Sequence, residues 1–485
     1  MYKDVVTEID KRVLEKGGRT FYVGGCVRDM FLNIESKDID IEVHGIDEST
    51  LKDILNEVGK PLEHGKSFGI YSLKGTNIDV AMPRIETKIG EGHRDFKVKV
   101  DPNISLIDAA RRRDFTINSM MIDVISEELI DPFNGKQDLE KGLIRHISDA
   151  TFIEDPLRIF RACQFAARFN FEIAEETIKL CKTMDETKLS KERVEEELKK
   201  ALLQSNKPSL FFDSLYKMDK LKYWFKEVNE AIGYEQNPRK HPEGDVYNHT
   251  MLALDTGATF KDKVSNAYNF MLLILVHDFG KLKTKIMTED GIHFYGHENY
   301  LEDIKIFLDR LVSSNETKNY VLEMVPKHMR GHKIYKNKLN EYESNIWFDG
   351  VKNPSDLAYL ATADKSNHPS KERLPFLLDR YNTFVKVKDA YSITGNDLIE
   401  KGISPNEKFS EYLDYAKDLK YQGLNKQETL EKTIDYIKEN KKSWWLLILL
   451  HYITYWSRCF FESLIDLITS ALVFSNALSS TSMHE

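Results

Sequence analysis

The sequence predicts an α+β protein, with a head built on a small mixed β-sheet over residues 1–150 and an all-helical remainder. Three observations carry this expectation. Short β-type runs alternate with turn residues through the head. From Asp155 onward apolar residues recur at helical spacing. A length of 485 residues exceeds what one hydrophobic core organises, so several units are expected.

After the head, residues 151–235 read as a helical neck. The stretch YEQNPRKHPEGD, Tyr234–Asp245, is rich in Pro, Gly and charge and reads as a linker. Beyond it, eight of the 14 histidines fall between His241 and His368, which marks residues 240–385 as a second chemical region. Residues 386–443 form a polar helical tail, and residues 444–485 form an apolar C-terminal segment. Arg458, Glu462 and Asp466 interrupt that segment, leaving no run near the roughly 20 residues a bilayer needs, so a buried or partner-binding helix is expected rather than a membrane contact.

Composition narrows the function classes. A net charge of −9 excludes a diffuse basic field as the means of holding nucleic acid, so such a partner must meet local clusters of Lys and Arg. Cys26, Cys163, Cys181 and Cys459 lie far apart without CxxC spacing, which argues against a thiolate zinc site or a disulfide framework and suits a reducing cytoplasm. The N-terminal MYKDVVTEIDKRVLEKGG carries acids where a signal peptide needs an apolar run.

The segment KDIDIEV alternates acid with β-branched residue. A strand sends Ile39, Ile41 and Val43 to the core and lines up Asp38, Asp40 and Glu42 on the opposite face. Like charges that close raise one another's pKa, and divalent cations remove the penalty. The plain alternative is a solvated edge strand, which the depletion of acids from strands disfavours. Ile70–Leu73 and Ile78–Met82 flank a hairpin turn, Lys74–Asn77, and set Asp79 opposite Ile78 and Val80, so a neighbouring strand supplies a third carboxylate. Mg2+ ions held by Asp38, Asp40 and Asp79 would activate an attacking hydroxyl and neutralise a leaving pyrophosphate in an in-line phosphoryl transfer.

Upstream, Tyr22–Asp29 runs from a strand through Gly24 and Gly25 into a helix, a layout that brings backbone N–H groups close to phosphates, with Arg28 adding charge. Arg111–Arg113 set three cations beside a β-prone run, which suits a triphosphate or, more plainly, a solvated surface. Asp155 and Pro156 read as the N-cap and first position of a helix, and on the residues alone the cap suffices for Asp155. Asp155 and Arg158 also share one face of the first turn and offer an acceptor and donors to a base edge.

VGGCVRD, KDIDIEV, RRRDFTINS, LIRHIS and EDPLRIFRACQFAARF, in this order and spacing, resemble the nucleotidyltransferase class that contains bacterial tRNA CCA-adding enzymes and bacterial poly(A) polymerases, over roughly residues 20–440. The resemblance implies metal at Asp38 and Asp40 with Asp79 as third acid. It assigns Arg112, Arg113, Asp114 and Asn118 to sugar and triphosphate contact, and Asp155 with Arg158 to a protein template that pairs with C or A. Arg161, one turn beyond Arg158, reaches toward the triphosphate in this reading, and Arg193 partners the nearby Glu195 or Glu196. LIRHIS and the histidine-rich region resemble the CCA-adding members more than the poly(A) polymerases. A mobile loop over Arg84–Phe96 would suit a switch from C to A addition. The implied partners are tRNA, CTP and ATP.

His249, then His277-Asp278 closing an apolar run, then Asp364, resemble the H…HD…D pattern of HD phosphohydrolases, with His297 and His328 available for a second metal. Imidazole and carboxylate suit a hydrolytic divalent or transition metal, whereas any one of these histidines taken alone is a core or surface residue. The resemblance implies phosphatase and 2',3'-cyclic phosphodiesterase action on RNA ends. The expected function is CCA addition to tRNA. The alternatives are a poly(A) polymerase, a CC-only or A-only enzyme, an HD-type signalling or nucleotide hydrolase with a relic front domain, and a non-catalytic tRNA-binding protein.

Overall fold

The computed structural model describes residues 2–36, 38–63, 69–88 and 96–440. The chain divides into two compact units, Met1–Lys333 with Val351–Leu374, and Ile334–Gly350 with Pro375–Glu485. The sequence seams near 150 and 240 both fall inside the first unit, and the 386–443 tail belongs to the second. The apolar segment 444–485 lies outside the described residues. Among those described, no helix is long and apolar enough to cross a membrane.

The head carries strands β1 (Arg19–Val23), β2 (Ile39–His44), β3 (Pro61–Glu63), β4 (Ile70–Leu73), β5 (Ile78–Ala81), β6 (Arg84–Lys88), β7 (Phe96–Val100), β8 (Met121–Asp123) and β9 (Leu129–Ile130). Seven of them form one mixed sheet in the order β3-β4-β5-β2-β1-β8-β9. The hairpin of β4 and β5 is antiparallel as expected, and it lays β5 parallel to β2 with Asp40 opposite Asp79. Ile41, Val43, Ile78 and Val80 are buried, which period-two alternation requires of a sheet with one face in the core. β6 and β7 pair as a separate antiparallel ribbon, Arg84 opposite Val100 and Lys88 opposite Phe96. The ends of the expected mobile loop are therefore strands, and residues 89–95 between them lie outside the described residues.

Behind the sheet, the helix Leu157–Phe169 packs on Lys191–Gln204 and Ser209–Lys217 around buried Phe160, Phe211, Phe212 and Phe225. It begins one residue later than expected, with Pro156 rather than Asp155 at the cap position, although Asp155 Oδ1 still accepts the Leu157 N–H at 3.1 Å. Asn170, left-handed at φ 56°, ends it.

In the histidine-rich region the helix Ala267–Val276, AYNFMLLILV, is apolar all round, and such a helix must be central. Val246–Ala258, Asn315–Met324, Pro354–Ala363 and Lys191–Gln204 pack around it. The second unit is helical, including Glu341–Phe348 and Phe409–Tyr421, with capping boxes at Asn340 and Thr394 and a core of Leu398, Ile403, Tyr412 and Ile437.

Candidate active sites

The carboxylates of Asp40 and Asp79 face one another across the parallel pair β2 and β5. Burial raises the Asp40 carboxyl above its ordinary value, and the charges of Asp79 and Asp38 add to the rise against Arg113 and Arg28. That penalty marks a place where a cation is wanted. Ser72 donates to Asp79 from β4 and orients it. Gly24, at φ +69°, lies so close that a Cβ there would sit 3.0 Å from the Arg113 guanidinium and 3.8 Å from Asp40 Oδ2. The tight approach is to Arg113, which leaves little room for a side chain at this turn.

Glu42, on the same strand face as Asp40, is buried and paired. Its side chain is 1% exposed and is held by His44 Nε2 at 2.9 Å, Arg112 at 2.8 Å and Arg113 at 3.4 Å. Burial works against ionisation, yet these partners win and bring the carboxyl down to about 2. Glu42 thus anchors two of the three arginines of the basic run, Arg112 and Arg113, beside the acids.

A cavity of about 590 Å3 opens between head and neck, lined by Gly24, Gly25, Arg28, Asp40, Arg113, Asp114, Asn118, Asp155, Arg158, Arg161 and neighbours. Among the nucleotide residues expected from sequence, only Arg112 stays off this wall; it lines an adjoining recess with Asp40 and Asp79. Arg28 is buried, donates to Asn118 Oδ1 at 2.6 Å and to Asp29, and lies over the rings of Phe165 and Phe169 at 5.2 and 4.7 Å. Asp114 accepts from Asn118 Nδ2 at 2.9 Å and from Arg161 at 2.6 Å. Burial alone would raise Asp114; Arg161 and Asn118 hold it below its ordinary value.

One expectation changes here. Arg193 pairs with Asp155 at 2.8 Å, not with Glu195 or Glu196; Glu195 accepts instead from Tyr268 and the Ser313 N–H. Arg161 lines the cavity while paired with Asp114. The Arg158 guanidinium donates to the carbonyls of Thr151 and Arg112 at 2.6 and 3.1 Å, its backbone N–H donates to the Asp155 carbonyl at 3.0 Å, and the two residues share the cavity wall.

The second cluster gathers His249, His277, Asp278 and Asp364, all buried, with candidate ligand atoms within 4.8 Å of one another, and Asp278, His297 and His328 in an overlapping group. Four imidazoles share one orientation. Nδ1 of His277, His297 and His328 donates to the carbonyl three residues earlier, Ile274, Phe294 and Val325, at 2.7, 2.8 and 2.7 Å. His249 Nδ1 donates to Glu243 at 2.8 Å. Each of these bonds uses Nδ1 and turns Nε2 toward the cluster, the orientation a metal ligand needs. The Nε2 atoms of His297 and His328 stand 3.2 Å apart, and Nε2 of His277 is buried without a hydrogen-bond partner.

This donor set fits a metal. Burial would lower His277, but Asp278 and Asp364 outweigh it and push it up to about 10; a cation would take the place of that proton. Burial and the neighbouring His277 bring His328 down to about 3, leaving it neutral. Gly280 of HDFGK is a second position where backbone needs room, since a Cβ there would lie 2.1 Å from the His297 carbonyl oxygen.

Sequence reading missed four groups at this cluster. Lys281 Nζ lies 2.7 Å from Asp278, and His332 Nε2 is in contact with Asp364. Glu243 carries His249 and is itself held by Asn367 at 2.8 Å. Burial works to raise Glu243, yet bonds from His249, Asn367 and His241 hold it far below the usual carboxylate range. The HPEGD run was read as linker, and only its spacing of six residues before His249 hints otherwise.

Comparison with known proteins agrees with this layout. Residues 20–145 match the family described as the poly A polymerase head domain, and residues 170–232 match one described as the probable RNA and SrmB-binding site of polymerase A. The multifunctional CCA protein of Haemophilus ducreyi is 34% identical over 323 residues, 65% of this chain and 76% of its own length. That of Pseudoalteromonas atlantica is 33% identical over 371 residues, 74% and 88% of the two chains. The Thermotoga maritima CCA-adding enzyme complexed with tRNA shares the fold at TM-score 0.59 and 23% identity, over 88% of this chain and 94% of that one. With a head, a neck and relatives of this kind, the chain belongs to the family of the multifunctional CCA proteins, nucleotidyltransferases built on the poly(A) polymerase head.

Proposed function

We propose that the protein adds CCA to the 3' end of tRNA from CTP and ATP without a nucleic-acid template, and that its histidine-rich cluster hydrolyses phosphate esters at RNA ends. One observation carries the first part: Asp40, in register with Asp79, lines three adjoining recesses, of which one is the arginine-walled cavity with Asp155 and Arg158. A transferase that joins two substrates and releases pyrophosphate needs such a junction.

Magnesium bound by Asp38, Asp40 and Asp79 would supply Lewis acidity for the attacking hydroxyl and the leaving pyrophosphate. The chain's own residues do the rest. Arg28, locked by Asp29 and Asn118, and Arg113, locked by Glu42, present fixed positive charge to the triphosphate without reorganising. Asp155 and Arg158 offer acceptor and donors along the cavity wall where a base would lie, and Arg193 holds Asp155 in place. At the second cluster a bound divalent or transition metal would lower the pKa of water; His249, His277, Asp278 and Asp364 are the ligands we assign, with His297 and His328 completing a second position. We place this work in the cytoplasm, where the three described cysteines, all buried, remain thiols.

The test offers the protein a tRNA lacking its last three nucleotides, with CTP, ATP and Mg2+. Three additions followed by arrest are expected. A long A tract would make it a poly(A) polymerase, and growth that stops after CC, or that needs a CC end, would make it a partial enzyme. Asp40→Ala should abolish addition while leaving ester hydrolysis by the histidine cluster intact.

A further inference from the structure

We infer that the histidine-rich cavity has a separate subsite for a nucleobase, a shelf made by His293 and Tyr295. This rests on the hydrolase reading of that cluster and names what the hydrolase grips besides phosphate.

The shelf follows from local sequence. A short hairpin, Ile286–Thr288 with Gly291–His293, ends at His293, and a turn follows. His293 and Tyr295 fall together, ring centroids 5.1 Å apart and planes within 7°. Phe294 lines the same cavity and packs against Tyr234, centroids 6.4 Å apart, with Lys281 over its ring at 5.6 Å. Those contacts hold the chain at Phe294. Tyr295 is 65% exposed, a large aromatic left in solvent with its ring already stacked on one side.

Place decides between shelf and accident. Gly296, left-handed at φ 73°, turns the chain straight into His297, whose Nε2 is 3.2 Å from Asp278. His293 and Tyr295 line the same cavity of about 520 Å3 as Asp278, His297, His328 and Asp364. Arg239, Lys240 and Lys365 line it too. Hydrolytic donors at one end, cations around them and a flat aromatic pair a few residues away suit a ligand with phosphate at one end and a heteroaromatic ring at the other. A nucleotide has that form, and the hydrolase reading at RNA ends makes it a nucleoside 2',3'-cyclic phosphate, free or at the end of an RNA. Stacking holds any base, because every base has a π face. Hydrolysis there forms a bond from a water oxygen to phosphorus, breaks one bond from phosphorus to a ribose oxygen, and delivers the proton to that oxygen.

The experiment uses the full chain loaded with a divalent metal and compares adenosine 2',3'-cyclic phosphate with glycerol 1,2-cyclic phosphate, which lacks a base. In Tyr295→Ala the ratio of the two KM values should shift by about tenfold or more against the nucleotide, while kcat for the nucleotide changes little; Tyr295→Phe should restore the ratio. The exposed position makes both variants expected to fold. An unchanged ratio in Tyr295→Ala overturns the shelf even if both esters are hydrolysed. Should the wild type hydrolyse neither, the hydrolase reading fails, and calorimetry then decides the shelf alone. Adenosine 2'-monophosphate must lose heat of binding in Tyr295→Ala relative to wild type while inorganic phosphate does not, the transferase cavity being common to both proteins; equal losses, or none, overturn it. An oligonucleotide ending in the cyclic phosphate that competes better than the mononucleotide identifies an RNA end as the source, and equal competition identifies the free nucleotide.

Discussion

At the scale of single residues, the head works by holding charges where they are costly. Glu42 is the clearest case, because a buried carboxylate with His44, Arg112 and Arg113 around it fixes the two arginines beside Asp40. Removing its charge leaves those cations uncompensated, so Glu42→Gln should lower stability at pH 7 by roughly 2–4 kcal/mol. The pH dependence has a definite sign. A carboxyl lowered from 4.5 to about 2 contributes stability that is full above 4.5 and lost as pH falls toward 2. Denaturant unfolding of both proteins across that window should show the difference shrinking with acid, and KM for CTP should rise in the variant. Equal stability at pH 7 would mean that Glu42 does not hold the arginines. The sequence placed Glu42 on the face of Asp40 correctly but said nothing of what covers that face, since Arg112 arrives 70 residues later. The same distance problem hid the pair of Arg193 with Asp155, which are 38 residues apart, while Glu195 and Glu196 stood conspicuously near.

At the scale of elements, the periodic parts were legible and the loops were not. Period two identified β2, β4 and β5, and the apolar run closed by His277-Asp278 identified a buried element, because burial on a known face is a local property of spacing. The loop before the helix Val246–Ala258 has no period, and composition alone made it a linker. In the fold it supports the histidine cluster: Asn367 donates to Glu243, and Glu243 accepts from Nδ1 of His249, so that Nε2 faces Asp364 at 2.8 Å. Supports of this kind affect metal affinity about 10–100-fold. Glu243→Gln should therefore weaken metal binding at the histidine cluster by that factor, read by calorimetry or by metal retained after dialysis, and leave nucleotide addition to tRNA unchanged. Full retention of metal by the variant would show that His249 is oriented without it.

At the scale of the whole molecule, two donor sets of different hardness sit in one compact unit. On the assignment proposed above, Asp38, Asp40 and Asp79 of the head would offer carboxylate oxygen to a small hard cation that keeps much of its water. The second cluster offers four inward imidazole nitrogens with Asp278 and Asp364, a set that imidazole-seeking transition metals bind more strongly than magnesium does. One chelation experiment should consequently separate the two activities. After exhaustive dialysis against EDTA both are expected to be lost. Mg2+ alone should restore addition of nucleotides to tRNA, and ester hydrolysis should return only with Mn2+, Co2+ or Ni2+. His277→Ala should remove the second response and keep the first, because His277 lies in the metal cluster and does not line the nucleotide cavity. Recovery of both activities with Mg2+ alone, at similar concentrations, would mean that the imidazoles do not set the metal preference, and the assignment of His249, His277, Asp278 and Asp364 as ligands of a transition metal would have to be given up.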